Sequence, residues 1–109
     1  MDSKTISKVN GHKMKVRLNG KLYQVRAITK LYNKTKRLAI QYYTDEGEPF
    51  GMLTVNVPEM KILRDDEIIV RTTEECEALA KAALATGLFT DTGVKIKSGF
   101  IYLSIWRIN

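Results

Sequence analysis

Lys13-Met14-Lys15-Val16-Arg17-Leu18-Asn19-Gly20-Lys21-Leu22-Tyr23-Gln24-Val25-Arg26 is the stretch that sets the architecture of this chain. Residues 13–18 alternate charged and apolar side chains without a break, the period of a half-buried strand. Asn19-Gly20 follows, and both residues tolerate the positive φ of a type I′ hairpin turn. A two-residue loop fixes the pairing. Leu18 then faces Lys21, Val16 faces Tyr23 and Met14 faces Val25, which makes one apolar side. On the other side Arg17 faces Leu22, Lys15 faces Gln24 and Lys13 faces Arg26. Period two therefore gathers Lys13, Lys15, Arg17 and Arg26 on one solvent-facing surface.

Working outward, the second strand extends through Ala27 and Thr29 to Leu31, and residues 32–36 read as a polar turn. A third strand covers residues 37–43, with Leu38, Ile40 and Tyr42 on one face. Asp45-Glu46-Gly47-Glu48-Pro49 turns the chain into a fourth strand over residues 50–57, with Leu53, Val55 and Val57 aligned. Pro58, which has no N–H for a ladder, ends it. Residues 67–71 form a short apolar strand. One helix follows: Thr72 and Glu75 have capping-box spacing, and Cys76, Leu79, Ala80, Ala83 and Leu84 form an apolar stripe. Glu77 and Lys81 suit an i, i+4 pair, and Gly87 is the natural stop. Residues 94–97 and 99–108 close the fold, with Phe100, Tyr102, Ser104 and Trp106 sharing a face. The expected class is α+β: a curved antiparallel sheet of about six strands packed on one α-helix, in the order β-β-β-β-β-α-β with an additional closing strand. Residues 1–11 read as a flexible basic arm and residues 12–109 as a single α+β domain, as the 109-residue length suggests.

Charge is unevenly spread. Eleven of the 18 basic residues, and Asp2 as the only acid, fall in the first 37 positions. That segment carries +10 and the remainder −4, giving the net +6. A cationic half of this kind attracts phosphate or acidic surfaces and says nothing about fold. The single cysteine, Cys76, excludes an internal disulfide and suits a reducing compartment. No apolar run approaches the roughly 20 residues of a membrane span. The polar, basic start does not read as a secretory signal, so the expected location is cytoplasmic, with no membrane association.

Candidate chemistry is sparse. Asp91-Thr92-Gly93 matches the triplet of retroviral-type aspartic proteases, but only 16 residues follow it, too few for such a barrel; it reads as a polar turn. His12 is the only histidine and reads as a solvated surface group. Cys76 sits on the helix's apolar stripe, the position of an inert core thiol. Asp45, Glu46 and Glu48, and Asp65, Asp66 and Glu67, cluster in turns without the spacing of a calcium loop. Neither a phosphate-cradling glycine loop nor a nucleophile elbow is present in the sequence. The expectation is a protein that is not an enzyme, with no catalytic residues, metal or cofactor.

The basic face is the remaining candidate. Lys13, Lys15, Arg17 and Arg26, extended by Lys30, Lys34 and Lys36, suit phosphate contacts, which supply position and salt-sensitive affinity. Tyr23 falls on the apolar side of the hairpin, while Tyr32 in the turn is placed to stack on a base. The competing reading is a charged edge that keeps the hairpin from aggregating.

Leu38-Ala39-Ile40-Gln41, Gly47-Glu48-Pro49-Phe50 and Leu53-Thr54-Val55-Asn56 lead a second set of features. With them go Thr86-Gly87-Leu88-Phe89, Asp91-Thr92-Gly93, Ser98-Gly99-Phe100 and the terminal aromatic–Arg pattern. From Arg37 onward these resemble a family of small bacterial proteins of unknown function, commonly carried on conjugative elements and plasmids. The chain departs from that pattern at Thr72-Thr73-Glu74-Glu75-Cys76, where relatives tend to carry an Asn-Asn-x-Pro-Trp-like stretch. The resemblance implies an accessory protein of a mobile genetic element and brings no catalytic residues with it. Two expectations follow: a module binding nucleic acid or a nucleoprotein through the basic face, or a protein-binding regulator or inhibitor of a host defence or transfer system. Either suits a monomer or a homodimer.

Overall fold

The Asn19-Gly20 turn adopts φ of 52° and 78°, the left-handed region that a type I′ turn demands. Around it β1 (Lys13–Leu18) and β2 (Lys21–Leu31) pair antiparallel, with Lys13 opposite Arg26, Lys15 opposite Gln24 and Arg17 opposite Leu22. The register is the one the sequence dictates. The computed structural model describes residues 3–60 and 64–109; the first two residues of the expected arm lie outside them.

β3 (Leu38–Thr44) and β4 (Pro49–Met52) complete an antiparallel sheet in the order β1-β2-β3-β4. A second antiparallel sheet contains β5 (Glu67–Val70), β6 (Phe89–Ser98) and β7 (Ile101–Ile108), in the order β5-β7-β6. The class is α+β as expected, but the single sheet of about six strands is replaced by two sheets of four and three.

The reason lies in residues 50–57, which do not form one strand. Leu53 N–H still donates to the Ile40 carbonyl (3.0 Å), but Thr54 then bridges to Val70 and Val55 N–H donates to the Ile69 carbonyl (2.9 Å). Leu53 enters the main core with Val16, Val25, Ile40, Tyr42, Leu79 and Trp106. Val57 enters a second cluster with Ile69, Leu103 and Ile105, against which Val55 packs. One alternating stretch thus serves two cores, and the chain must pass from one sheet to the other between them. β7 contributes to both clusters, Trp106 and Ile108 to one and Leu103 and Ile105 to the other, which explains its nearly continuous apolar sequence.

The helix α2 (Glu77–Ala85) buries Leu79, Ala80 and Ala83, and Glu77 meets Lys81 at 3.0 Å, both as expected. It packs against β1 and β6, the outer strands of the two sheets. Gly51 on β4 also lets that strand come close to α2: a β-carbon there would stand 3.2 Å from Leu79 Cδ2. The expected Thr72–Glu75 capping box does not form. A 3₁₀ turn (Glu74–Cys76) precedes α2 instead, Thr73 is its N-cap without a side-chain cap bond, and Glu74 pairs with Arg71 at 2.7 Å.

Two further corrections concern the ends. Over Ser3–Val9 the expected arm is a helix, α1, with Val9 fully buried and Ile6 packed on the main core. A seven-residue helix is marginal alone. Burying one valine contributes about 1.5–3 kcal/mol, which sequence periodicity over so short a segment does not announce. Asp91-Thr92-Gly93 is not a turn between helix and closing strands but a bulge inside β6, where the register with β7 shifts between Asp91 and Lys95. Among the described residues no helix is long and apolar enough to cross a membrane.

Candidate nucleic-acid interface

Strand period two turns one face of the β1–β4 sheet into the core and leaves the other outward. Across it, paired residues form rows. Lys13 on β1 faces Arg26 on β2, Arg26 faces Tyr43 on β3, and Tyr43 faces Pro49 on β4. The next row toward the Asn19-Gly20 turn pairs Lys15 with Gln24, and beyond it Arg17 pairs with Leu22. In the other direction Ile28 faces Gln41, which faces Met52, and Lys30 faces Ala39. Lys13, Lys15, Arg17, Arg26 and Lys30 are all exposed on this surface. Lys34 and Lys36 are exposed beyond it, in the turn that Tyr32 and Arg37 close by backbone hydrogen bonding.

None of these seven cations takes part in a salt bridge among the described residues, where the ion pairs are Arg71–Glu74 and Lys81–Glu77. Directly opposed like charges such as Lys13 and Arg26 weaken a sheet. Two exposed unit charges about 5 Å apart in water repel by roughly 0.8 kcal/mol, a cost a domain tolerates. The result is a concentration of positive charge, which attracts anionic groups.

Carboxylates bound this surface on two sides. An open groove of about 600 Å³ between β1 and the start of α2 is lined by Lys15, Arg17 and Lys81, and also by Glu74, Glu75 and Glu77. Asp45, Glu46 and Glu48 are exposed in the turn after β3. Lys15 and Arg17 therefore act against neighbouring negative charge, while Lys13, Arg26 and Lys30 do not line that groove. The cations outside that groove are Lys13 on the edge strand β1 and Arg26 and Lys30 on β2.

The aromatic on this face is Tyr43, half-buried, with its hydroxyl donating a long 3.4 Å bond to Gln41 Oε1. It was legible: if Leu38, Ile40 and Tyr42 point inward, Tyr43 must point outward. Tyr23 is on the inner side, packed on Phe50 with ring centroids 5.2 Å apart and Lys21 Nζ 5.1 Å from its own ring centre. Tyr32, expected to be placed for stacking, is half-buried and its hydroxyl is engaged with Thr54 Oγ1 at 3.0 Å. Its role is to brace the turn against the crossing between the two sheets.

In the β6 bulge Gly93 N–H donates to Asp91 Oδ1 (2.9 Å) and Thr92 Oγ1 donates to the Ile105 carbonyl (2.7 Å). Cys76 lines a separate cavity of about 400 Å³ with Leu18, Phe50, Met52 and Leu79. Burial pushes its thiol pKa up, Arg71 opposes this, and Glu75 and Glu74 add to it, so the thiol is not activated. His12, expected as a solvated group, is half-buried with Nδ1 lacking a hydrogen-bond partner, and burial lowers its pKa. Among the described residues no group of three or more His, Cys, Asp or Glu side chains is arranged to hold a metal ion.

No protein-family model, curated protein or solved structure matches this chain.

Proposed function

We propose that this chain is a non-enzymatic binding protein that engages nucleic acid, bare or within a nucleoprotein, through the outward face of the β1–β4 sheet. The observation that carries the reading is the central cluster of Lys13, Arg26 and Lys30, exposed on one face and free of salt bridges among the described residues. Lys15 and Arg17 extend it toward β1, and Lys34 and Lys36 extend it past the end of β2. The resemblance of residues from Arg37 onward supplies the setting, an accessory protein of a mobile genetic element acting in the cytoplasm. The test is equilibrium binding of labelled oligonucleotides as a function of salt. Non-specific contacts of this kind give dissociation constants on the order of 10⁻⁴–10⁻⁶ M at physiological salt, tightening steeply as salt falls. Absence of binding at low salt ends the proposal.

A second reading, a protein-binding regulator or inhibitor of a host defence or transfer system, is favoured by the β6–β7 hairpin. Phe100 at its turn is fully exposed, and Tyr102, two residues on, is 60% exposed. Exposed aromatics grouped in this way are typical anchors of a protein contact. Capture of partners from a bacterial lysate with and without nuclease separates the two readings: nucleic-acid binding gives nuclease-sensitive capture, and protein binding gives capture lost in Phe100→Ala.

A further inference from the structure

Resting on the nucleic-acid reading above, we infer that the ligand is single-stranded and that one base stacks on Tyr43 while its phosphates lie over Lys13 and Arg26. The surface is divided by strand. The β1 side presents Lys13, Lys15 and Arg17, whereas the β3–β4 side presents Tyr43 and Gln41 without a cation. Arg26 stands between the two zones, paired with Lys13 on one flank and Tyr43 on the other. Adjacent strands are about 4.8 Å apart, so the Lys13 and Tyr43 positions are separated by roughly 10 Å. This is the order of a nucleotide's reach from phosphate to base. A strand laid along the sheet would place backbone on the basic zone and bases on the aromatic and apolar one.

Ile28, in the row beside Tyr43, offers apolar surface to the next base. The amides of Gln24 and Gln41 lie on the same face and suit base edges. A duplex keeps its base faces inside the stack, so a ring on an open sheet face can stack only on an unpaired base. Here α2 is packed against β1 and β6, with its apolar side in the core, and α1 is docked through Val9. The outward face carries strand side chains only. It is a stacking platform beside an electrostatic track, the arrangement that favours unpaired bases.

The experiment measures anisotropy of fluorescein-labelled single-stranded DNA and RNA oligonucleotides and of the matching DNA duplex, with the wild type and the Tyr43→Ala, Tyr43→Phe and Lys13→Glu/Arg26→Glu variants. Single strands are expected to bind more tightly than duplex. Tyr43→Ala is expected to weaken single-strand binding by roughly five- to a hundredfold, leaving duplex binding and the salt slope unchanged, with Tyr43→Phe near wild type. Lys13→Glu/Arg26→Glu is expected to abolish binding to all probes. A Tyr43→Ala variant that binds single strands as wild type does, while the charge-reversed variant binds none, overturns the stacking inference and leaves the parent reading standing. No binding by the wild type to any probe overturns both. Should Tyr43→Ala fail to fold, photocrosslinking of the wild type to a halouracil-substituted single strand decides: a crosslink at Tyr43 supports the inference, and crosslinks confined to other residues overturn it.

Discussion

Arg26 on β2 stands directly opposite Tyr43 on β3, and its other neighbour across the sheet is Lys13. The two residues therefore occupy neighbouring positions on the two central strands of the sheet, not at its edge. Their placement follows from two local facts. The Asn19-Gly20 turn fixes which side of β2 carries Arg26, and the inward Leu38, Ile40 and Tyr42 fix which side of β3 carries Tyr43.

The groove between β1 and α2 sets the limits of the positive surface. Glu75 shares it with Lys15 and Arg17 and, unlike Glu74 and Glu77, is in neither of the ion pairs among the described residues. Glu75→Gln should raise nucleic-acid affinity about two- to fivefold at low salt, an effect that fades as salt screens the groove. Asp91→Asn, on the exposed β6 bulge, is the control and should change nothing. Equal responses of the two variants in an anisotropy titration would show that net charge, not this groove, governs affinity.

Docking of α1 rests chiefly on Val9, fully buried, with Ile6 packed against the same core. Val9→Ala removes a fully buried apolar group and should lower unfolding free energy by about 1.5–3 kcal/mol in urea titration, with an unchanged m-value. A midpoint identical to wild type would mean that residues 3–9 behave as a free arm.

How far the sequence revealed the molecule depended on whether a structure was decided locally. The hairpin register was legible because two residues of special φ determine it, and α2 because its stripe repeats over several turns. α1 was not, because its seven residues are held by Val9 against partners distant in sequence. The break after Met52 was hidden for a related reason: Leu53 and Val57 alternate like one strand yet belong to different cores. The charges of the candidate site were read correctly as exposed. A stacking aromatic was expected at Tyr32, and Tyr23 was correctly placed on the apolar side, although the alternation of β3 already put Tyr43 on the outward face.

His12 gives the fold a mild acid sensitivity. Burial holds its folded pKa below 6.5, so the unfolded chain binds the proton more readily. Its contribution to stability is complete above the unfolded value and is lost as pH falls from there through the folded value. Urea unfolding followed from about pH 8 down to about pH 5 should show a stability decline that His12→Gln reduces. Identical pH profiles for the two proteins would remove His12 from this role.

Cys76 should be a sluggish thiol. Its raised pKa and half-buried position predict slower reaction with a disulfide reagent at neutral pH than a free cysteine shows, and rapid reaction once the chain is unfolded. Reaction as fast in the native protein as in denaturant would contradict the placement of this residue at the α2 entry.

The most direct measurement is the salt dependence of binding to a labelled single-stranded oligonucleotide, taken for the wild type and for Lys13→Glu/Arg26→Glu. About four phosphate contacts, from Lys13, Lys15, Arg26 and Lys30, give a slope of log K against log salt near −3 for the wild type. The charge-reversed variant should show no binding, while Lys34→Glu/Lys36→Glu, altered in the turn that flanks the surface, should weaken binding less and leave it measurable. A wild-type affinity independent of salt, or an undiminished affinity in Lys13→Glu/Arg26→Glu, would contradict a nucleic-acid interface on the β1–β4 face.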